Sequence, residues 1–136
     1  MANDPDDGPF TGDFDSPWLR KLLFPQLAPA ESAIAPLSTW AAAHGFKFRA
    51  SSPTGQPGSV LVQIWNGTVS AIGEPSLGTP GFEMDLYWDG DTADDQALDR
   101  AAAGITAALS AFGPSTVTAA PPGTKPRVPS TNLWKR

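Results

Sequence analysis

A strand pattern is followed directly by a helix pattern between Phe82 and Pro114. Apolar residues occupy every second position from Phe82 to Trp88, and mostly polar residues fill the positions between them. This two-residue period is typical of a strand with one buried and one outward face. We therefore predict a strand here that carries Glu83 and Asp85 on its outward face.

An amphipathic helix is predicted immediately after this strand. Asp91 or Thr92 suits the N-cap, and Asp94 and Asp95 place negative charge near the positive end of the helix dipole. Apolar residues then recur at helical spacing: Leu98, Ala101, Ala102, Ile105, Leu109 and Phe112. The Gly-Pro pair that follows is a strong helix stop.

The segment from Ala30 to His44 predicts the second main helix. We expect the regular helix to begin near Ala35, because Pro36 is tolerated in a first turn but would kink a helix interior. His44, the only histidine, then lies at the C-terminal end. Its charged form would favour the helix dipole there, so we assign it a structural role.

Three further strands are predicted. They lie at 46–50, 59–65 and 115–120. The first turns its two phenylalanines inward and Lys47 and Arg49 outward. The second is apolar on both faces, which is typical of a strand inside a sheet. Helices would cover one of its faces, and Leu61 and Trp65 on the other indicate an oligomer contact.

The remaining segments are predicted as loops and arms. Val69 to Gly81 contains glycine and proline and predicts a long loop. Residues 1–29 are interpreted as an acidic arm with a short helix that opens at Ser16-Pro17 and ends at Pro25, and residues 121–136 as a proline-rich basic tail. The apolar residues of these ends are candidate interface anchors: Phe10, Phe14, Trp18, Leu22, Leu133 and Trp134.

Composition narrows the class of protein. The chain has 136 residues, no cysteine and a net charge of −5. This length suits one domain, here residues 30–120, and without cysteine there is no disulfide framework. The first ten residues are acidic and no apolar run reaches membrane-spanning length, so we predict neither a signal peptide nor a transmembrane helix.

Charge is unevenly distributed along the chain. Residues 1–31 carry −4 and residues 74–100 carry −7, whereas residues 125–136 carry +4. This distribution suits contacts with other copies or other proteins. It suits sequence-specific nucleic-acid binding poorly, because no basic stripe with interleaved aromatic residues is present.

The predicted fold class is α+β. The element order gives a mostly antiparallel sheet of about four strands, with the two main helices packed on one face and extended arms at both ends.

Candidate chemistry is sparse. Glu83 and Asp85 are spaced like a carboxylate pair, but Lys47 and Arg49 on a neighbouring strand are expected to neutralise them. The aspartates after Trp88 depart from a calcium loop and are better explained as helix caps. The Asn66-Gly67-Thr68 triplet indicates a turn rather than a glycosylation site. We therefore expect no catalytic residues, no metal and no cofactor, and a protein that is not an enzyme.

The pattern resembles the tail terminator proteins of long-tailed phages of siphovirus type that infect actinobacteria. The resemblance covers roughly Ala30 to Ala120 and includes a helix ending AAAHG, the strand SVLVQIW, and the strand FEMDLYW leading into an acidic helix start. It implies a small α+β virion protein, made in the host cytoplasm, that forms a ring, usually a hexamer, at the tail-neck junction.

Such a ring caps the head-proximal end of the tail tube, stops its polymerisation and joins it to the head connector. The implied partners are further copies of the chain, the tail tube protein and the connector or neck protein, with a lumen through which DNA can pass and no membrane. The candidate interface then includes Leu61, Trp65, Glu83 and Asp85 besides the terminal anchors. Three alternatives stay open: a head-completion or neck protein, a small enzyme using Glu83 and Asp85, and a monomeric binding module.

Overall fold

A six-stranded antiparallel sheet forms the centre of the computed structural model, which describes residues 18–51, 60–76, 80–90, 92–121 and 124. In chain order the strands are β1 (Arg20–Phe24), β2 (Lys47–Ser51), β3 (Leu61–Trp65), β4 (Val69–Pro75), β5 (Phe82–Trp88) and β6 (Thr116–Ala119). Their spatial order is β2-β3-β4-β5-β1-β6. The strand nearest the N-terminus among the described residues therefore lies between the last two in the chain.

Two helices cover one face of this sheet. They are α1 (Ile34–Ala43), preceded by a 3-10 turn at Ala30–Ala33, and α2 (Asp95–Ala108), followed by a 3-10 turn at Ser110–Phe112. Leu37 of α1 and Leu98 and Ile105 of α2 are almost fully buried in one core with the strands. The predicted α+β class is confirmed, with six strands where about four were expected.

The short helix predicted after Ser16 was wrong, because Arg20–Phe24 forms strand β1. Leu22 and Phe24 point into the core while Lys21 and Leu23 alternate with them, which is a two-residue period. A helix this short has little stability alone, whereas β1 pairs with β5 on one side and β6 on the other. Leu22 is fully buried, so this candidate interface residue belongs to the core.

The long loop predicted over 69–81 was wrong in its first part, because Val69–Pro75 forms strand β4. All seven of its residues pair with β5, and the four from Ser70 to Gly73 also pair with β3, although the sequence VSAIGEP lacks a clear apolar alternation. Gly73 has a packing reason, because a Cβ atom built on it would lie 2.7 Å from the ring of Phe82. Gly73, which in the sequence argued against a strand, therefore leaves the space that the Phe82 ring occupies.

The helix boundaries refine the predictions from sequence. Pro36 lies in the first turn of α1, as predicted, and His44 is its C-cap residue, with Nδ1 2.8 Å from the carbonyl oxygen of Trp40. For α2 the predicted N-cap was wrong. The carboxylate of Asp94 accepts the backbone N–H groups of Gln96 and Ala97, at 3.0 and 3.2 Å, so the helix starts later than Thr92.

The other predicted strands are confirmed. β2 turns Lys47 and Arg49 to solvent, β3 lies inside the sheet, and β6 occupies the predicted last strand. The Asn-Gly pair forms the turn between β3 and β4. There Asn66 Oδ1 accepts hydrogen bonds from the Thr68 backbone, the Thr68 hydroxyl and the Val69 backbone.

We predict that Gly73→Ala destabilises the protein by about 1–3 kcal/mol, because the new methyl group would overlap Phe82 and force it to move. Urea unfolding followed by circular dichroism measures this loss. In a Phe82→Leu background the same substitution should cost clearly less, because the overlapping ring atoms are gone. An equal cost in both backgrounds would show that the Phe82 contact is not the cause.

We predict that Asp94→Ala costs about 1 kcal/mol of unfolding free energy, because two backbone N–H groups lose their acceptor. Asp94→Asn should retain most of the stability, since the amide oxygen still accepts those hydrogen bonds. Thr92→Ala is the matched control and should change stability by less than about 0.5 kcal/mol. A larger loss of unfolding free energy for Thr92→Ala than for Asp94→Ala would show that Thr92, one of the two residues predicted from sequence, is the N-cap.

Candidate interaction surface

The face of the sheet opposite α1 and α2 carries the charged side chains singled out from the sequence. We call it the open face, because no helix of the described residues lies over it. The strand register places these residues on it: Lys21, Leu23, Lys47, Arg49, Ser51, Leu61, Gln63, Trp65, Ser70, Ile72, Glu74, Glu83, Asp85, Tyr87, Thr116 and Thr118. The predicted outward orientation of Glu83 and Asp85 is thus correct.

Lys21 is the centre of the charged group on the open face. Its Nζ lies 2.8 Å from Asp85 Oδ1 and 3.1 Å from Glu83 Oε2. The same ammonium lies 5.1 Å from the ring centroid of Trp18, within cation–π range. These side chains are roughly four-fifths buried, so the ion pairs are less screened by solvent than exposed pairs.

The expected neutralisation of Glu83 and Asp85 by β2 was wrong. β2 is separated from β5 by β3 and β4, so Lys47 and Arg49 are too far away to pair with them. Arg49 instead donates from Nε to Gln63 at 2.9 Å and lies over the Trp65 ring at 5.4 Å. The counter-charge comes from β1, whose strand character was missed in the sequence.

Negative charge exceeds positive charge around Lys21. Burial raises the pKa of Asp85, and neighbouring Glu83 adds to this, while Lys21 offsets part of the effect. The pKa of Glu74 is likewise raised, by burial first and then by Glu83 and Asp85. Burial, together with the nearby carboxylates, raises the pKa of Tyr87 to about 12. The Lys21 ammonium thus pairs with Glu83 and Asp85 and is the cation nearest in effect to a third carboxylate, Glu74.

Lys21 stays charged in this setting. Burial alone would lower the pKa of its ammonium group, but the hydrogen bonds to Asp85 and Glu83 outweigh burial and raise it above the ordinary value. A cation with a raised pKa stabilises the fold at pH values below its unfolded pKa, and this stabilisation is lost as pH rises through the folded pKa. The pairing is therefore fully present at neutral pH.

Arg20 makes the corresponding contacts on the other face of β1. Its guanidinium donates to Asp99 at 2.8 Å and Asp95 at 3.2 Å, both on α2, and to the Leu19 carbonyl at 2.8 Å. These bonds fix the start of α2 against the sheet. Asp95, one of the aspartates interpreted as caps, therefore also holds the helix on β1, together with Asp99.

A cleft of about 220 Å³ lies between the two helices and the β3–β4 turn. One wall of the cleft is formed by Trp40, His44 and Phe46. The ring centroid of Trp40 lies 4.9 Å from that of His44 and 5.0 Å from that of Phe46. Arg100 lies at the margin of the cleft. Trp40 packs directly over Gly104 of α2. His44 therefore belongs to an aromatic cluster at the end of α1.

The candidate interface residues fall into three groups. Leu61, Trp65, Glu83 and Asp85 share the open face, and Trp18 lies beside its Lys21. Leu22 lies in the core. The other four, Phe10, Phe14, Leu133 and Trp134, lie outside the described residues.

Sequence reasoning missed Lys21, Glu74 and Tyr87 as members of this surface. Lys21 was placed in a helix and Glu74 in a loop, while Tyr87 was recognised only as an outward strand position. The alternation in RKLLF was the available signal for Lys21, since it matches a strand as well as a helix turn. Nothing comparable marks Glu74, whose strand contains few large apolar residues.

Comparisons with family models, curated proteins and solved structures give no match for the chain. Within the described residues, no group of three or more metal-ligating side chains is close enough to hold a metal ion. None of the described helices is long and apolar enough to span a membrane.

We predict that Lys21→Met lowers the unfolding free energy at pH 7 by about 1–2 kcal/mol, because carboxylates remain partly buried without their cation. The pKa of Asp85, already raised, then rises further, so the folded variant binds more protons than its unfolded chain as pH falls. The loss should therefore shrink toward pH 4. Urea unfolding at both pH values measures it.

Lys47→Met is the control for this prediction, because Lys47 lies on the same face at the exposed edge strand. We expect its effect to stay below about 0.5 kcal/mol at both pH values. A Lys21→Met loss that is the same at pH 7 and pH 4 would mean that packing of the lysine stem, rather than its charge, stabilises the sheet.

Proposed function

We propose that the chain is the subunit of a ring that acts as a phage tail terminator, capping the head-proximal end of the tail tube and joining it to the head connector. The proposal starts from the resemblance of the strand and helix patterns to that family. One structural observation supports it further: the two edge strands of the sheet differ in sequence and run in opposite directions.

Both edge strands have one side without a strand partner within the described residues. Among the described strands, β2 pairs only with β3, and β6 pairs only with β1. β2 is polar and cationic, whereas β6 has the sequence TVTA and exposes half of Val117. Unpaired edges of this kind are sites where another chain adds by backbone hydrogen bonding.

The opposite direction of the two edges favours head-to-tail assembly. In an antiparallel sheet of six strands, β2 and β6 run in opposite directions. A neighbour rotated about an axis along the strands would place its β2 antiparallel to β6. Because this contact joins different surfaces on the two copies, repeating it gives a ring when the rotation between neighbours closes, rather than a two-fold dimer.

The rest of the subunit suits a ring with two different partners. Helices occupy one face of the sheet and a charged surface occupies the other, so the inside and outside of such a ring would differ in chemistry. The ends of the strands would then face the tube and the connector. This division supports a structural role for Glu83 and Asp85.

We predict that the purified protein forms a closed oligomer and that Val117→Glu dissociates it. The substitution places a charge at the exposed β6 edge but should change subunit stability by less than about 0.5 kcal/mol. Light scattering after size exclusion measures the mass. Electron microscopy tests whether the protein caps tubes assembled from the tube protein of the same genome.

Ala107→Glu on the exposed side of α2 is the control and should leave the mass unchanged. A wild-type protein that stays monomeric and does not join tube ends would overturn the terminator proposal. A ring that forms normally with Val117→Glu would retain the function but exclude the β6 edge from the contact between subunits.

A further inference from the structure

We propose that the cleft between α1, α2 and the β3–β4 turn binds an acidic segment of a partner protein. One aromatic side chain of that segment occupies the cleft, and a neighbouring carboxylate pairs with Arg100 at its margin. The contact needs no second copy of the chain, so the inference goes beyond the proposed ring and applies to a single subunit.

The cleft has the size of a site for one side chain. Its volume of about 220 Å³ lies below the roughly 300–1,000 Å³ of pockets that enclose drug-sized ligands. Trp40, Phe46 and Val69 give it apolar walls, and Ala97 and Ala101 line it on the α2 side with side chains of one carbon each. A small apolar pocket of this kind suits a single large anchor residue of a protein partner.

The aromatic wall of the cleft is held in place by its packing. A Cβ atom built on Gly104 of α2 would lie 2.5 Å from Trp40 Nε1, so the indole ring packs directly on the helix. The rings of His44 and Phe46 pack against the same indole. A wall that is ordered before binding loses little conformational entropy when a partner binds, and its rings favour an aromatic guest.

The cleft carries hydrogen-bond donors and no carboxylate. None of its lining residues is acidic, whereas Arg100 and Asn66 both carry N–H donors. Asn66 Oδ1 accepts the backbone N–H groups of Thr68 and Val69, at 3.0 and 2.8 Å, which fixes the orientation of the side-chain amide. Its Nδ2 group is therefore left as a donor that the turn does not use. Such a margin complements an acceptor with negative charge.

Arg100 has no counter-charge in the part of the chain that the structure describes. On α2 the positions three and four residues away on either side hold only alanine, glycine and glutamine, so no carboxylate lies beside it on the helix surface. Asp95 and Asp99 bind Arg20 of β1 instead, at 3.2 and 2.8 Å. The chain has 14 acidic and 9 basic residues, yet this cation is left without one of them, and it therefore complements a carboxylate from outside.

Titration of the isotope-labelled full chain with three peptides, followed by NMR, tests the site. The aspartate peptide is Gly-Asp-Phe-Asp-Gly with both ends blocked, and the two controls replace its aspartates by asparagine or its phenylalanine by alanine. The aspartate peptide should shift the indole N–H signal of Trp40, identified by its loss in Trp40→Phe, and the amide signals of residues 97–101. The asparagine peptide should bind about fivefold more weakly, because it lacks the ion pair with Arg100. The alanine peptide should leave the Trp40 signal unchanged.

Arg100→Gln tests the cation. Its affinity for the aspartate peptide should fall about fivefold, to that of the asparagine peptide, while its affinity for the asparagine peptide stays unchanged. Arg49→Gln is the matched control, because it removes the same charge from the open face, and it should leave both affinities unchanged.

Ala97→Leu tests the space in the cleft. The larger side chain is a good helix former and should fill the cleft, so that neither phenylalanine peptide shifts the Trp40 signal. Ala103→Leu makes the same change on the exposed side of α2 and should bind both peptides as the wild type does. Circular dichroism of each variant establishes that it is folded before its affinity is compared.

Equal affinities of the wild type for the aspartate and asparagine peptides, or equal losses in Arg100→Gln and Arg49→Gln, would overturn the pairing with Arg100. Shifts confined to signals outside the cleft would overturn the site itself. Phenylacetate that binds the cleft as tightly as the aspartate peptide would overturn the choice of a protein partner in favour of a small aromatic acid. A protein that stays monomeric but binds the aspartate peptide at Trp40 would support this inference while overturning the ring.

Discussion

The insertion of β1 between β5 and β6 is the contact on which the rest of the structure depends. Two consecutive residues of this strand hold both sides of the sheet: Arg20 binds Asp95 and Asp99 of α2, and Lys21 binds Glu83 and Asp85 on the open face. Leu22 then contributes to the core between them. Without β1, β6 would have no strand to pair with and the carboxylates of β5 would lack their cation.

The sequence predicts the elements whose local and tertiary preferences agree. The alternation of β5, the apolar stripe of α2 and the position of Pro36 in α1 follow from the residues themselves, since each pattern matches the surface that the element buries. The outward pair Glu83 and Asp85 could be found in the same way. Its partner could not, because strand order is not visible in an alternation pattern.

The two missed strands show where local patterns are insufficient. The short run RKLLF satisfies a helix turn and a strand equally well, and pairing on both sides decides between them. In β4, Gly73 and Pro75 argue against a strand, yet the glycine gives space to Phe82 and the proline lies at the strand end. The N-cap was misplaced because four nearby aspartates are locally equivalent and only the backbone path selects Asp94.

The position of β1 also affects the order in which the fold can form. Lys21 and Asp85 are 64 residues apart in the chain, and Arg20 and Asp99 are 79 apart. Such distant pairings fold slowly, because the loop between them must close before any contact compensates its entropy. During synthesis β1 leaves the ribosome long before β5 and β6, so its apolar residues have no sheet to join until nearly the whole domain has emerged. The β5-β1-β6 side of the sheet is therefore among the last parts of the domain to be completed.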